Sequence, residues 1–162
     1  MRIVITGCPG TGKTAVAKQL CKLLKAEYLN EKEFALKEGL AELEEDEIVI
    51  DEKKLEAKIN LYIKGLKNVV LEGHIFCEIK LNVDTVFVLE TEPERIELRL
   101  GLRKSYSEEK IQDNVFCQGI DYCKKKAMKA YGKNKVVLIN SSSNVEQTAK
   151  TIVDYLFKPN LM

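Results

Sequence analysis

The chain lacks several features that would place it in a broad class of proteins. Among its 162 residues, no apolar run approaches the ~20 residues of a membrane-spanning helix, so no direct contact with a membrane is expected. The formal net charge is +1, which gives no general attraction toward nucleic acid. Arginine is scarce, with four residues against 22 lysines, so the position of each arginine is informative.

Histidine is nearly absent, and the cysteines show no familiar spacing. His74 is the only histidine. The five cysteines form no C-x-x-C pair, and their odd number means that they cannot all form disulfides within the chain. They are Cys8, Cys21, Cys77, Cys117 and Cys123. This usage predicts reduced thiols and a cytoplasmic protein, because disulfides rarely persist in the cytosol.

What the chain does contain is a phosphate-binding pattern near its start. G-x-x-x-x-G-K-T runs from Gly7 to Thr14, between an apolar run at 3–5 and an amphipathic run at 16–24. The glycines let the backbone turn tightly around phosphate oxygens, and the helix that follows points its positive end at the same anion. Lys13 supplies a charge for the outer phosphates, and Thr14 supplies a hydroxyl ligand for Mg²⁺. The pattern predicts ATP and Mg²⁺ binding by Gly10, Thr11, Gly12, Lys13, Thr14 and Ala15.

Apolar runs and helical patterns alternate along the rest of the chain. Strands are predicted at 2–6, 26–29, 68–72, 85–89 and 135–139. Helices are predicted at 13–25, from Asn30 to about 38, from Asp51, from Pro93, after Ser107 as one long helix, and at 145–157. The acidic stretch 42–47 is predicted to be a loop or a helix end. This order predicts one α/β domain over residues 1–162, with a five-stranded parallel sheet covered by helices on both faces.

Ligands of such sheets bind at the carboxyl ends of the strands, where several polar residues of this chain are expected to meet. Glu72 ends an apolar strand, as the acid of a Walker B motif does. It can hold Mg²⁺, directly or through water, or orient a nucleophile; alternatively it is a strand-end acid that meets solvent or a lysine. His74 follows two residues later, as a catalytic or phosphate-contacting group or as a structural histidine.

Three of the four arginines, Arg95, Arg99 and Arg103, are spaced by four residues, which predicts one face of one helix. For Arg95 the spacing favours a solvated pair with neighbouring glutamates. For Arg99 and Arg103 it favours a phosphate clamp, because guanidinium groups suit bidentate phosphate contact. A break near residues 104–105 predicts a hinge beside them.

These residues together resemble the small adenylate kinases of isoenzyme 6 type, also called the coilin-interacting nuclear ATPase family, and their archaeal relatives. The resemblance covers nearly the whole chain. It rests on Gly7–Thr14, Tyr28-Leu-Asn30, Asp51-Glu52, Val70-Leu-Glu-Gly-His74, Arg99-Leu-Gly-Leu-Arg103, Tyr106-Ser-Glu-Glu-Lys-Ile111 with Asn114, and Ser143-Asn144. The chain has Lys104-Ser105 where that family usually has one glycine, so Arg103 or Lys104 takes the place of the lid arginine.

The resemblance implies a P-loop NTPase fold of nucleoside monophosphate kinase type, with an acceptor-binding region at about 30–53 and a lid at about 103–113. It implies ATP and AMP as substrates, ADP as product and Mg²⁺ as cofactor. It also implies slow ATPase activity and a role in small ribosomal subunit maturation through a small-subunit ribosomal protein. The residues expected to be catalytic are Lys13, Glu72, His74 and Arg103; Arg99 and Arg103 join the ATP site, and Thr14 and Glu72 the metal site.

Three functions remain open at this point. The first is an adenylate kinase-like phosphotransferase, the second an ATPase assembly factor without significant kinase activity, and the third a P-loop kinase of another small acceptor. Residues 26–65 contain no arginine, although nucleotide kinases usually clamp the acceptor phosphate there. This absence weakens the first function, and the family resemblance weakens the third.

Overall fold

The structure is a computed structural model that describes residues 1–45 and 47–158. Strands and helices alternate along the chain. The strands are β1 Arg2–Thr6, β2 Glu27–Asn30, β3 Ala41–Glu44, β4 Glu47–Ile50, β5 Val69–Glu72, β6 Thr85–Glu90 and β7 Val136–Asn140. The helices are α1 Lys13–Leu24, α2 Glu31–Lys37, α3 Glu52–Ile63, α4 Pro93–Gly101, α5 Glu108–Gly119, α6 Tyr122–Tyr131 and α7 Val145–Phe157, with one 3₁₀ turn at Ile75–Cys77.

Five of the strands form one parallel sheet in the order β2-β5-β1-β6-β7, which confirms the predicted sheet. β1 lies in the centre, so the phosphate loop that follows it opens at the same edge as the ends of β2 and β5. In this register Asn30 and Ile5 are both partners of Glu72. The side chains at the ends of β2 and β5 are therefore neighbours.

Both faces of the sheet are buried, and the side chains of each strand alternate between the two faces. On β1, Val4 packs into one core cluster with residues of α3 and α6, whereas Ile3 and Ile5 pack into the other with residues of α1 and α7. In residues 1–45 and 47–158, no helix has the length and apolar character needed to cross a membrane.

Helix starts follow the capping residues seen in the sequence. The side chains of Asn30, Asp51, Ser107 and Asn144 each accept a hydrogen bond from the backbone N–H three residues later. Helix α7 has the predicted bounds, and α1 and α2 end one residue before theirs.

Three predictions about local structure were wrong. The acidic stretch 42–47 is part of an antiparallel hairpin of β3 and β4, apart from Asp46, which lies outside the described residues. The long helix after Ser107 is two helices, because Asp121 between them has a left-handed backbone with φ of 54°. Helix α4 ends at Gly101, so Arg103 lies beyond it in the following turn and not on its face.

Candidate active site

A cleft of about 490 Å³ opens at the carboxyl edge of the sheet, beside the phosphate loop. It brings together most of the residues predicted for the site. Those lining it are Gly10, Gly12, Lys13, Thr14, Ala15, Asn30, Glu72, His74 and Arg103. Two predicted residues do not line it: Thr11 is a buried residue of the loop, and Arg99 contacts the loop backbone from α4.

The phosphate loop is held by side chains behind it. Gly10 and Gly12 both have φ of 89°, a conformation that favours glycine. The buried Thr11 hydroxyl donates to the Cys8 carbonyl oxygen at 2.7 Å, and the Ser141 hydroxyl donates to the Thr11 carbonyl oxygen at 2.7 Å. These bonds fix the curve of the loop, and an unstrained turn of that kind keeps its N–H groups directed at an anion.

Lys13 is half-buried at the start of α1, and its Nζ donates to the Cys8 carbonyl oxygen at 3.2 Å. Burial lowers the pKa of Lys13, while the negative charges of Glu72 and Glu31 act in the opposite direction. The ammonium group therefore lies within the field of two carboxylates and inside the loop whose N–H groups would surround a phosphate.

Glu72 is only 3% exposed, and one of its oxygens is the centre of a hydrogen-bond group. Oε1 accepts from the Thr14 hydroxyl at 2.8 Å, the Tyr28 hydroxyl at 2.8 Å and the Asn30 amide at 2.9 Å. Thr14 Oγ1 and Glu72 Oε1 are also spaced like neighbouring ligands of an octahedral Mg²⁺ site, where bonds of ~2.1 Å give edges of ~3 Å. The donor set thus fits Mg²⁺, with Glu72 close enough to reach the metal or its water.

Glu31 is a site residue that the sequence did not reveal. It is 3% exposed, lines the cleft and accepts from the Ile75 N–H through Oε2 at 2.8 Å. Burial raises its pKa to about 7, against the opposing charge of Lys13. In the sequence Glu31 is only an acid in the first turn of a helix, so no local signal distinguishes it.

Gly73 makes room for this carboxyl group. A Cβ atom added at Gly73 would lie 2.0 Å from Glu31 Oε2 and 2.3 Å from its Cδ. The absence of a side chain at Gly73 is therefore what allows Glu31 to lie against the turn after β5 and to bond its backbone.

We expect Gly73→Ala to destabilise the fold by ~1–3 kcal/mol, because the displaced Glu31 carboxyl loses its buried hydrogen-bond partners. Urea unfolding measures this, with Gly65→Ala as the matched control, since a Cβ at exposed Gly65 meets nothing within 4 Å. In a Glu31→Ala background the effect of Gly73→Ala should nearly vanish. A Gly73→Ala protein as stable as the wild type would contradict this packing.

His74 contacts the phosphate loop from the other side. Its Nδ1 lies 3.1 Å from the Gly7 carbonyl oxygen, and burial together with the charge of Lys13 lowers its pKa. A neutral imidazole with its proton on Nδ1 donates to that carbonyl. The contact seen here orients the loop; a catalytic role for His74 stays a prediction.

The three arginines of the predicted helix face have different surroundings. Arg95 pairs with Glu92 at the surface, at 3.6 Å. Arg99 donates to the carbonyl oxygens of Gly10 and Ser141, both at 3.1 Å. Arg103 lines the cleft and lies over the Tyr106 ring, 5.8 Å from its centroid. Only Arg103 faces the cleft directly, and the clamp of two arginines stays a prediction.

Comparison with known proteins gives the class of this chain. Residues 3–121 match the family model described as an AAA domain. A protein of Thermococcus kodakarensis named "Putative adenylate kinase" is 33% identical over 156 residues, which cover 96% of this chain and 85% of that protein. A protein of the same name from Pyrococcus furiosus is 40% identical over 121 residues, which cover 75% of this chain and 65% of its own length.

Solved structures agree on the fold. Shikimate kinase from Bacteroides thetaiotaomicron superposes with a TM-score of 0.65 at 14% identity, covering 96% of this chain and 98% of that one. Shikimate kinase from Aquifex aeolicus gives 0.62 at 18% identity, covering 96% of both chains. The fold is that of a P-loop kinase. The chain belongs to the family of archaeal adenylate kinase-like proteins, and it is a nucleoside monophosphate kinase-like enzyme.

Proposed function

We propose that this protein transfers the γ-phosphoryl group of ATP to AMP and releases two ADP. The observation that carries the proposal is the single cleft in which Lys13, Thr14 and Glu72 lie together beside the phosphate loop. Phosphoryl transfer depends mainly on positioning and on charge stabilisation, which these groups supply without covalent chemistry.

In the donor half, the loop N–H groups of residues 10–15 would hold the triphosphate, and Lys13 would leave the Cys8 carbonyl oxygen to follow the transferring group. Bound Mg²⁺ would neutralise charge on the phosphate oxygens, with Thr14 as its ligand and Glu72 at its water shell. The bond between Thr14 and Glu72 keeps both groups at that position before nucleotide arrives.

In the acceptor half of the cleft, the cationic side chains are lysines, because residues 26–65 contain no arginine. Lys18 and Lys32 line the same cleft as Asn30. Lys18 Nζ also lies over the Tyr28 ring, 5.7 Å from its centroid. A lysine acts on phosphate as a point charge and not as a planar fork, so these residues can bind the phosphate of AMP with less geometric selection.

A second candidate is favoured by Glu31. Its buried carboxyl group lies in the cleft, and burial raises its pKa to about 7. A carboxylate repels an anionic acceptor but can take a proton from a hydroxyl group. Phosphorylation of a neutral hydroxyl compound is therefore the alternative to AMP as acceptor.

We further propose a link between nucleotide state and a protein partner, as the resemblance to the isoenzyme 6 type suggests for a small-subunit ribosomal protein. The support is an exposed apolar surface in the proposed acceptor-binding region. There the hairpin of β3 and β4 exposes the side chains of Leu43, Ile48 and Val49. Lys110 of α5 pairs with Glu47 of that hairpin at 3.7 Å. A protein bound to the hairpin would thus act on α5, whose first turns belong to the proposed lid.

Measuring ATP consumption alone and with each nucleoside monophosphate tests the proposal. We expect AMP to raise the rate most, with two ADP formed for each AMP consumed. Lys13→Ala protein purified in parallel controls for contaminating kinases. If no nucleotide acts but a hydroxyl compound does, the second candidate replaces the first. If only a small-subunit ribosomal protein raises the rate, the protein is an assembly ATPase.

We expect Arg103→Lys to lower turnover ~10-fold or more, since lysine cannot make the planar, bidentate phosphate contact. Arg95→Lys is the matched control, because Arg95 is exposed and pairs with Glu92 at the surface. Steady-state kinetics with saturating ATP would compare the two proteins. Wild-type turnover in Arg103→Lys would show that Arg103 does not make the proposed phosphate contact. Lys104 would then be the next residue to test.

A further inference from the structure

Four of the five cysteines converge beside the phosphate loop, although they are far apart in the sequence. Cys8 comes from the loop, Cys77 from the 3₁₀ turn after β5, Cys117 from α5 and Cys123 from α6. Cys8 Sγ lies 2.8 Å from Cys117 Sγ and 3.6 Å from Cys123 Sγ. The three sulfur atoms all lie within 4.8 Å of one another.

A second group of donors adjoins the first. Cys123 Sγ is 3.6 Å from His74 Nδ1, and His74, Cys77 and Cys123 each have a donor atom within 4.8 Å of the others. Cys123 belongs to both groups. No sequence pattern indicates this cluster, because none of its cysteines shares a C-x-x-C spacing.

Most of the cluster is shielded from solvent, but solvent reaches it at one cysteine. Cys8, Cys77 and Cys123 are between 0% and 3% exposed, while Cys117 is partly exposed. The fifth cysteine, Cys21, lies on the other face of the sheet, with its sulfur near the Glu27 carbonyl oxygen. It serves as an internal control.

No disulfide is formed between these sulfurs, and one pair already has the spacing of a metal site. A disulfide needs ~2.05 Å between sulfurs, which is shorter than any separation here. Thiolates around a tetrahedral Zn²⁺ at ~2.3 Å are ~3.8 Å apart, close to the separation of Cys8 and Cys123. The Cys8 and Cys117 sulfurs need to move apart by about 1 Å to reach the same spacing, and Cys117 has room to do so at the partly exposed side.

We propose that Cys8, Cys117 and Cys123 bind one thiophilic divalent cation of the zinc class as thiolates, with the fourth donor taken from Cys77, or from His74 in the tautomer that leaves Nδ1 without a proton. Three thiolates and one nitrogen or sulfur donor form a closed structural zinc site. This site is separate from the Mg²⁺ position, whose donors are oxygen atoms of Thr14 and Glu72.

Such an ion would join the phosphate loop to α5 and α6. Cys8 is part of the loop, and its carbonyl oxygen holds both Lys13 and Thr11. The bound metal would therefore stabilise the fold and fix the position of the loop, through a site that no substrate needs to touch. A ligand that binds only the folded state raises the unfolding temperature with its free concentration.

Cobalt titration of the reduced, chelator-stripped full chain tests the site without any assay of activity. We expect saturation at one Co²⁺ per chain, with sulfur-to-cobalt charge-transfer absorption and the visible bands of tetrahedral Co²⁺, displaced on adding Zn²⁺. Cys21→Ser should match the wild type. Cys117→Ser and Cys123→Ser should bind Co²⁺ ~10-fold or more weakly. Replacing even a hydrogen-bond partner of a metal ligand lowers metal affinity ~10- to 100-fold.

Circular dichroism checks that the serine variants fold, and Cys117→Ser is the safer of the two because Cys117 is partly exposed. The proposal is overturned if the reduced wild type shows no thiolate absorption, or if Cys117→Ser titrates like Cys21→Ser. It is also overturned if the reduced protein binds no Co²⁺ and air oxidation forms a disulfide between Cys8 and Cys117, which would make the cluster a redox pair.

Discussion

Replacing Lys13 with alanine is expected to lower the turnover of ATP by ~10²-fold or more, the usual loss when a preorganised electrostatic group is removed from a transition state. Lys13 is half-buried beside the phosphate loop and bonds the Cys8 carbonyl oxygen, so its ammonium group is already at the loop when nucleotide binds. The loss should fall mainly on turnover, because the loop N–H groups and Thr14 still bind the triphosphate.

The matched control is Lys22→Ala, which removes an exposed lysine from the same helix. Steady-state kinetics and thermal unfolding should be measured for both variants. Lys13→Ala with normal turnover would show that phosphoryl transfer does not take place in this cleft.

Replacing Glu72 with glutamine is expected to lower Mg²⁺-supported activity ~10- to 100-fold, the range seen when groups around a metal are changed. The amide oxygen of glutamine can still accept from Thr14, Tyr28 and Asn30, so the hydrogen bonds that hold the site persist. What is lost is the negative charge, which attracts the metal and opposes the lowering of the pKa of Lys13.

A Mg²⁺ titration of activity measures this effect, with Glu90→Gln as the control, since Glu90 also ends a strand of the sheet but does not line the cleft. Superimposed curves for Glu72→Gln and the wild type would assign Glu72 to structure alone.

The fold was predictable where the signal is local. The G-x-x-x-x-G-K-T pattern locates the phosphate loop, and Asn30, Ser107 and Asn144 mark helix starts because each side chain bonds a backbone N–H three residues on. The hairpin at 41–50 escaped prediction because its apolar side chains are not buried: Leu43 is 75% exposed and Ile48 44%. A strand without a buried face shows no clear alternation.

The site was predictable only in part, for a related reason. Glu72 and His74 follow an apolar strand, so the rule that ligands bind at strand ends finds them. Glu31 and Lys18 are charged residues on helices that no local pattern distinguishes from surface residues, and they line the cleft. The thiol cluster likewise joins four elements that no spacing connects. The place of Arg103 depends on where α4 ends, and the helix ends at Gly101, before the break predicted near residues 104–105.

The most direct test of the proposed phosphotransfer follows the γ-phosphoryl group itself. ATP labelled at that group is mixed with unlabelled AMP, Mg²⁺ and the wild-type protein, and the products are separated. We predict that the label appears in ADP, at a rate that depends on AMP and is lost in Lys13→Ala. Label that appears only as inorganic phosphate, at a rate that AMP does not change, would contradict phosphotransfer to AMP.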